Sequence, residues 1–354
     1  MNPQIRFCRS SDGTRLAWAV TGDGPPILKA PHWLTHLEYE WRSPIWRPWI
    51  EELSRRNTLV RMDERACGLS DWEVTDFSFE AYVRDLEAVA DAAGFERFSL
   101  LGHCQGAAFA VEYAARHPER VSHLVLLGGY VRGWMKGDLP PERVEELNAA
   151  IKLIEVGWGR DDPSYRQMFS SQFLPGATLE QLRSLSELQR ISCSAENAAR
   201  LVRSYLEIDA TESAPRVRCP TLVVHARGDV RVPLNEGRKL ASLIPGARLV
   251  VLESPNHILL SHEPAFRQFF EELAAFLPVS GGARLEALTG RENEVLERIA
   301  RGLDNAKIAA QLGMSEKTVR NHVTRIFDKL GVESRPQAIV LARERGLGLQ
   351  SRHP

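Results

Sequence analysis

Two stretches of the chain carry residues whose types and spacing could do chemistry. The first is Gly102-His103-Cys104-Gln105-Gly106, set between the apolar run Phe98-Ser99-Leu100-Leu101 and a helical pattern from Ala107 to Arg116. A nucleophile at a sharp strand-to-helix turn sits at strained backbone angles, and small flanking residues make room for that turn. The following helix favours an anion at its N-terminus, here the Cys104 thiolate. A nucleophile needs a base, and the base needs an orienter. Asp229 lies in Arg227-Gly228-Asp229-Val230-Arg231-Val232-Pro233, and His257 closes Ser254-Pro255-Asn256-His257. The expected triad is Cys104, His257 and Asp229, suited to attack on a carbonyl carbon. The second stretch is Ser315-Glu316-Lys317-Thr318-Val319-Arg320-Asn321-His322-Val323. It reads as a short capped helix with a polar, basic face suited to a DNA groove.

These residues need elements to hold them. The first 128 residues alternate short apolar runs with helical patterns, including strands at 57–63, 98–101 and 121–127 and a helix at 79–93. That alternation predicts an α/β fold with a parallel sheet and helices on both faces. From 130 to 215 the strand signal vanishes, and helices at 141–156, 179–190 and 195–208 predict an insertion over the sheet. Strands return at 221–224 and 248–252, and a helix at 264–276 completes the large domain, 1–277. Pro278-Val279-Ser280-Gly281-Gly282 opens a linker over 278–285.

Residues 286–354 read as a small all-α domain of four helices. Thr289 and Glu292 make a capping box, Gly302 ends the first helix, Asp304 or Asn305 caps the second, and Gly313 stops it. Ser315 caps the third helix, which runs to Leu330 before Gly331, and Ser334 with Gln337 opens the fourth. The turn Leu312-Gly313-Met314-Ser315 fits a helix-turn-helix, whose second helix enters the major groove. Lys317 and Arg320 can neutralise phosphates or donate to guanine, while Thr318 and Asn321 can meet base edges or sugar-phosphate. His322 lies beside them, Arg325 and Lys329 suit phosphates further along, and Val319 and Val323 fall on the inner face.

The segment from Leu288-Thr289-Gly290-Arg291-Glu292 through Arg335-Pro336-Gln337-Ala338 closely resembles the LuxR-type DNA-binding domain. The family's usual lysine after the Thr-Val pair is Arg320 here. The resemblance implies double-stranded DNA as partner and a homodimer formed through the fourth helix, Ser334 to Arg345; RNA polymerase is a candidate partner. Residues 1–277 resemble the α/β-hydrolases, whose nucleophile, acid and histidine follow the order Cys104, Asp229, His257. Asp63-Glu64-Arg65-Ala66-Cys67-Gly68-Leu69-Ser70 looks like that family's Asp-x-Arg-Gly-x-Gly-x-Ser turn, with Ala66 replacing the first glycine. By resemblance, 130–215 is a helical cap over the pocket. The oxyanion donors are the backbone N–H groups of Trp33 and Gln105. The family's His-Gly in that loop is Pro31-His32, a change expected to reshape it. Cysteine in place of the commoner serine is shared with members resembling dienelactone hydrolases.

All eight tryptophans precede residue 160. Trp33 and Trp134 are expected to contact an apolar, carbonyl-bearing ligand, with His32 as pocket wall and His103 packing against or lining the pocket. No zinc or nucleotide signature occurs, so no metal or cofactor is expected. The net charge of −1 hides an asymmetry: from Arg284 onward there are 13 Lys and Arg against 9 Asp and Glu. A basic small domain on an acidic large one suits a phosphate-binding module joined to something else. Apolar runs are too short to span a bilayer, no secretory pattern opens the chain, and the five cysteines predict free thiols in a cytoplasmic setting. The leading expectation is a transcription regulator whose hydrolase-fold domain senses a small ester or lactone-like ligand, capturing it covalently or hydrolysing it slowly. A working cysteine hydrolase with a tethered DNA-binding domain is the alternative, and a thiol redox sensor a third reading.

Overall fold

Short apolar strands and amphipathic helices assemble around one eight-stranded sheet in the computed structural model, which describes residues 4–158, 160, 162–277, 288–330, 332, 334–344 and 347–348. The strands are β1 (Gln4–Arg9), β2 (Arg15–Thr21), β3 (Pro26–Lys29), β4 (Thr58–Met62), β5 (Phe98–His103), β6 (Val121–Leu127), β7 (Thr221–Ala226) and β8 (Arg248–Leu252). Their spatial order is β1-β2-β4-β3-β5-β6-β7-β8. β1 and β4 each run antiparallel to β2; the remaining pairs are parallel. Every residue of β5 and β7 is buried, as central strands covered on both faces require. This is the α/β-hydrolase fold, with a mostly parallel sheet.

The helix Phe79–Ala93 starts where Ser78 accepts the Ala81 N–H and ends at Gly94, left-handed at φ 74°. The helix Gly106–Arg116 is buried for most of its length against the sheet. A Cβ on Gly102 would lie 2.6 Å from Ala107 Cα, which is why only glycine lets β5 turn so tightly into this helix.

The cap carries four helices: Pro141–Gly157, Pro163–Phe173, Leu179–Ser192 and Ala195–Leu206. Sequence patterning anticipates three of these and misses Pro163–Phe173. That segment has no aliphatic stripe, but its start is signalled: Asp162 accepts the Ser164 N–H at 2.8 Å, with Pro163 in the first turn.

Contacts divide the chain into Met1–Phe276 and Leu277–Pro354. The expected linker at 278–285, Gly331 and Arg345 lie outside the described residues. The second unit holds the helices Gly290–Ala300, Asn305–Leu312, Glu316–Leu330 and Arg335–Glu344. Thr289 and Glu292 form the reciprocal capping box, Asp304 rather than Asn305 caps the second helix, and Gly313 ends it at φ 63°. Val295, Ile299, Ile308, Val319, Ile326 and Leu330 are fully buried in the core; Leu312 and Val323 are half-buried at its edge.

Candidate functional site

β5 delivers Cys104 at φ 56°, the left-handed region that costs a non-glycine residue about 1–3 kcal/mol and so persists only where the surroundings enforce it. Enforcement is visible: a Cβ on Gly106 would lie 2.3 Å from the Pro31 carbonyl oxygen, and the Cys104 N–H donates to Leu127 O at 3.2 Å. Asp229 follows β7. Its Oδ1 accepts the N–H groups of Arg231 and Val232, each at 2.9 Å, and its Oδ2 accepts from His257 Nδ1 at 2.6 Å. All three side chains are buried. Among the described residues His257 Nε2 has no partner of regular hydrogen-bond geometry, and Cys104 is its neighbour. Burial alone would lower the imidazole, but the neighbouring Cys104 and Asp229 outweigh it and push His257 up to about 9. Gly128, left-handed at φ 53°, gives the ring space: a Cβ there would approach His257 Cε1 to 3.3 Å. Cys104, Asp229 and His257, distant in sequence, thus converge at the C-terminal ends of the strands.

A cavity of about 90 Å³ lies at the sulfur, lined among others by Trp33, Gln105, Tyr130, Trp134, Tyr205 and Arg231. No acceptor among the described residues takes the backbone N–H of Trp33 or of Gln105. The pocket-wall reading of His32 and the lining role of His103 need correction, because both lie behind the wall. Lys29 Nζ donates to His32 Nδ1 at 2.6 Å, and the His32 ring packs 4.0 Å from Trp46. His103 stacks on His257, 5.0 Å between centroids, with Trp49 on its far side. In the loop that carries Trp33, Leu34 is left-handed at φ 55°. Ala66, standing where the family pattern has glycine, is also left-handed at φ 68°, a cost on the order of 1 kcal/mol. Cys67 is buried beside Cys193, and burial pushes its thiol well up.

Sequence reading misses a set of buried charges beneath this wall. Arg61 donates to Glu40 at 2.5 Å, and His32 Nε2 stands 3.8 Å from the same carboxylate. Burial brings Lys29 down to about 8 and lifts Asp63 to about 7, although Asp63 accepts the N–H groups of Leu37 and Leu69, each at 2.9 Å. Glu64, lifted by burial to about 8, accepts from the Tyr205 hydroxyl at 2.5 Å. A signal was present: a lysine closes Pro-Ile-Leu-Lys and an arginine interrupts Thr-Leu-Val-Arg-Met, both inside otherwise apolar strands.

In the terminal unit, the helix Glu316–Leu330 buries Val319, Ile326 and Leu330 and exposes Lys317, Thr318, Arg320, Asn321 and Arg325. Ser315 Oγ caps it by accepting the Thr318 N–H at 3.1 Å. Two expected DNA-facing residues sit differently. His322 is half-buried with Nδ1 sealed from solvent, and Lys329 Nζ donates to Glu292 Oε2 at 2.6 Å. Lys329 and the Thr289 N–H and hydroxyl hold the Glu292 carboxyl down at about 2, so this lysine ties the third helix to the first cap. On the fourth helix Ala338, Leu341 and Ala342 face the core, while Val340 is 57% exposed.

The fold and the elbow define a hydrolase-fold domain in the first unit, and the capped helix pair defines a helix-turn-helix in the second. Comparison with known proteins agrees. Residues 40–160 match the alpha/beta hydrolase fold family and residues 286–342 match the bacterial regulatory proteins of the luxR family. A putative carbamate hydrolase RutD of Klebsiella pneumoniae is 30% identical over 213 residues, 58% of this chain and 76% of that protein. A non-heme chloroperoxidase of Streptomyces lividans is 28% identical over 265 residues, 72% and 94% of the two chains. Among solved structures, an esterase from Exiguobacterium antarcticum superposes with a TM-score of 0.65 at 21% identity, over 77% of this chain and 99% of its own. The chain belongs to the α/β-hydrolase family in its first unit and to the luxR family of bacterial regulatory proteins over residues 286–342. No helix among the described residues is long and apolar enough to cross a membrane, and none of their His, Cys, Asp and Glu side chains group as a metal site.

Proposed function

We propose that the chain is a ligand-responsive DNA-binding regulator whose first unit captures a small carbonyl compound, an ester or lactone, at Cys104. The observation that carries this is a strained thiol beside a His257–Asp229 pair, in one chain with an exposed basic helix-turn-helix face. The Cys104 sulfur attacks the carbonyl carbon, and Trp33 and Gln105 donate their free backbone N–H groups to the oxygen that becomes negative. The carbon–oxygen bond to the leaving group breaks, His257 gives that oxygen its proton, and a thioester remains on Cys104. Water activated by His257 hydrolyses the thioester and resets the site.

Such a ligand regulates only if it binds one conformation better than another. A swing from 1% to 99% active takes roughly a 10⁴-fold preference, about 5.5 kcal/mol. Closure of the cap helices over the pocket is suited to supply it. The chain acts on DNA as a homodimer, with exposed Val340 on the fourth helix as the self-contact.

The test is a DNA-shift assay with a panel of small esters and lactones, run on wild type and Cys104→Ala, with intact-mass spectrometry alongside. A mass adduct on Cys104 and a ligand-dependent shift lost in Cys104→Ala are expected. No adduct, with unchanged response in the variant, overturns covalent capture. The intact His257–Asp229 pair favours one second reading, a turning-over hydrolase; fast turnover with DNA binding indifferent to substrate would establish it.

A further inference from the structure

A cavity larger than the one at the sulfur lies elsewhere in the first unit. About 420 Å³ opens within the cap, between Trp158, Tyr165 and Phe169 on one side and the helix Leu179–Ser192 on the other, more than four times the roughly 90 Å³ at Cys104. Small-molecule sites commonly span about 300–1,000 Å³, so the cap cavity has room for a whole ligand and the sulfur pocket for a fragment of one.

Its walls are the rings of Trp158, Tyr165 and Phe169, and three arginines stand around them. Arg190 is engaged by Glu187, the one acidic lining residue among the described residues, through two contacts of 2.8 and 2.5 Å. Arg183 has neither a hydrogen bond nor an ion pair among the described residues. Arg160 stands over the Tyr165 ring at 5.9 Å, with no carboxylate among the described residues. Gln189, 6% exposed, also lines the cavity, and its amide Nε2 is buried with no acceptor among the described residues. The neighbouring Ser186 hydroxyl is already engaged by Ser170 Oγ and Leu182 O, each at 2.9 Å. Every unanswered group here is a donor, two of them cationic, beside three aromatic faces. An unmet buried donor is costly, and a planar guanidinium pairs best with a planar, two-oxygen acceptor.

We propose that the cap cavity is a second ligand site, distinct from the sulfur pocket, that takes an aromatic carboxylate. The ring lies among Trp158, Tyr165 and Phe169, and the carboxylate faces Arg183, Arg160 and the Gln189 amide. A neutral ester would leave both cations unanswered. The site also has a route to the sulfur pocket: Trp158 meets Trp33 edge-on at 6.0 Å, and Trp33 carries one of the free N–H groups beside Cys104.

The test is isothermal titration of the full chain with 1-naphthoate, its neutral amide, and inorganic phosphate. Naphthoate should bind at least roughly tenfold more tightly than the amide or phosphate. Arg183→Ala and Arg160→Ala should each weaken it about fivefold or more, since both side chains are exposed and the fold tolerates their loss. Cys104→Ala should bind as wild type does. Equal binding of the amide, equal binding of phosphate, insensitivity to both arginine variants, or no naphthoate binding overturns the site. Loss of binding in Cys104→Ala places the ligand at the sulfur instead, which overturns this site and leaves the function proposed above standing.

Discussion

The two units use charge in opposite directions. Around the elbow, polar groups point inward: Asp229, His257, Glu64, Arg61 and Lys29 are all buried, and most are paired. On the helix Glu316–Leu330, the charges point outward, with Lys317, Arg320 and Arg325 exposed over a buried Val319–Ile326 stripe. Carbonyl chemistry needs donors and a base held fixed in a dry site, where electrostatic effects are strong. DNA reading needs mobile cations that displace counterions from phosphates. Lys329 shows the boundary between the two modes: it lies on the DNA helix yet is spent inward on Glu292.

The largest effect that could break this contrast is at His257. His257→Ala should slow acylation of Cys104 by roughly 10²–10⁴-fold, measured by stopped-flow with a chromogenic thioester-forming substrate. An unchanged rate would mean that the buried pair is packing only. Next comes pH. Folded His257 keeps its proton to about 9, and an unfolded imidazole loses it near 6.5, so its contribution is full below about 6.5 and is lost as pH rises through about 9. Urea melts of the first unit's transition should lose about 1–3 kcal/mol across that window, and His257→Gln should flatten the loss.

On the outward side, Arg320→Ala should weaken operator binding by about 1–3 kcal/mol in a shift assay, with a shallower salt slope if a phosphate contact is lost. Lys329→Met should leave that affinity within about twofold, because its charge already answers Glu292. If Lys329→Met weakened DNA binding as much as Arg320→Ala, the inward assignment of Lys329 would fail. The smallest effect is at the cap itself: Thr289→Ala should cost the terminal unit about 1 kcal/mol in thermal melts and leave Cys104 reactivity alone.

Local signals wrote much of this molecule into its sequence. A strand, two glycines and a helix in succession announce the turn that strains Cys104, because no other residue fits where Gly102 and Gly106 meet backbone. Thr289, Asp304 and Gly313 mark helix ends by chemistry confined to a few neighbouring residues. Other features depended on contacts between distant segments. Only packing decided that His32 and His103 stand behind the pocket wall, that Lys329 answers Glu292, and that Glu64 lies under Tyr205. The cap helix Pro163–Phe173 announces only its start, through Asp162 and Pro163, and the cavity beside it follows from no periodic stripe. Periodicity and capping report on residues within a few positions of each other. Which side chain fills the space next to a buried charge is settled by burial against segments that can be more than a hundred residues away in the chain, and no short-range pattern encodes that.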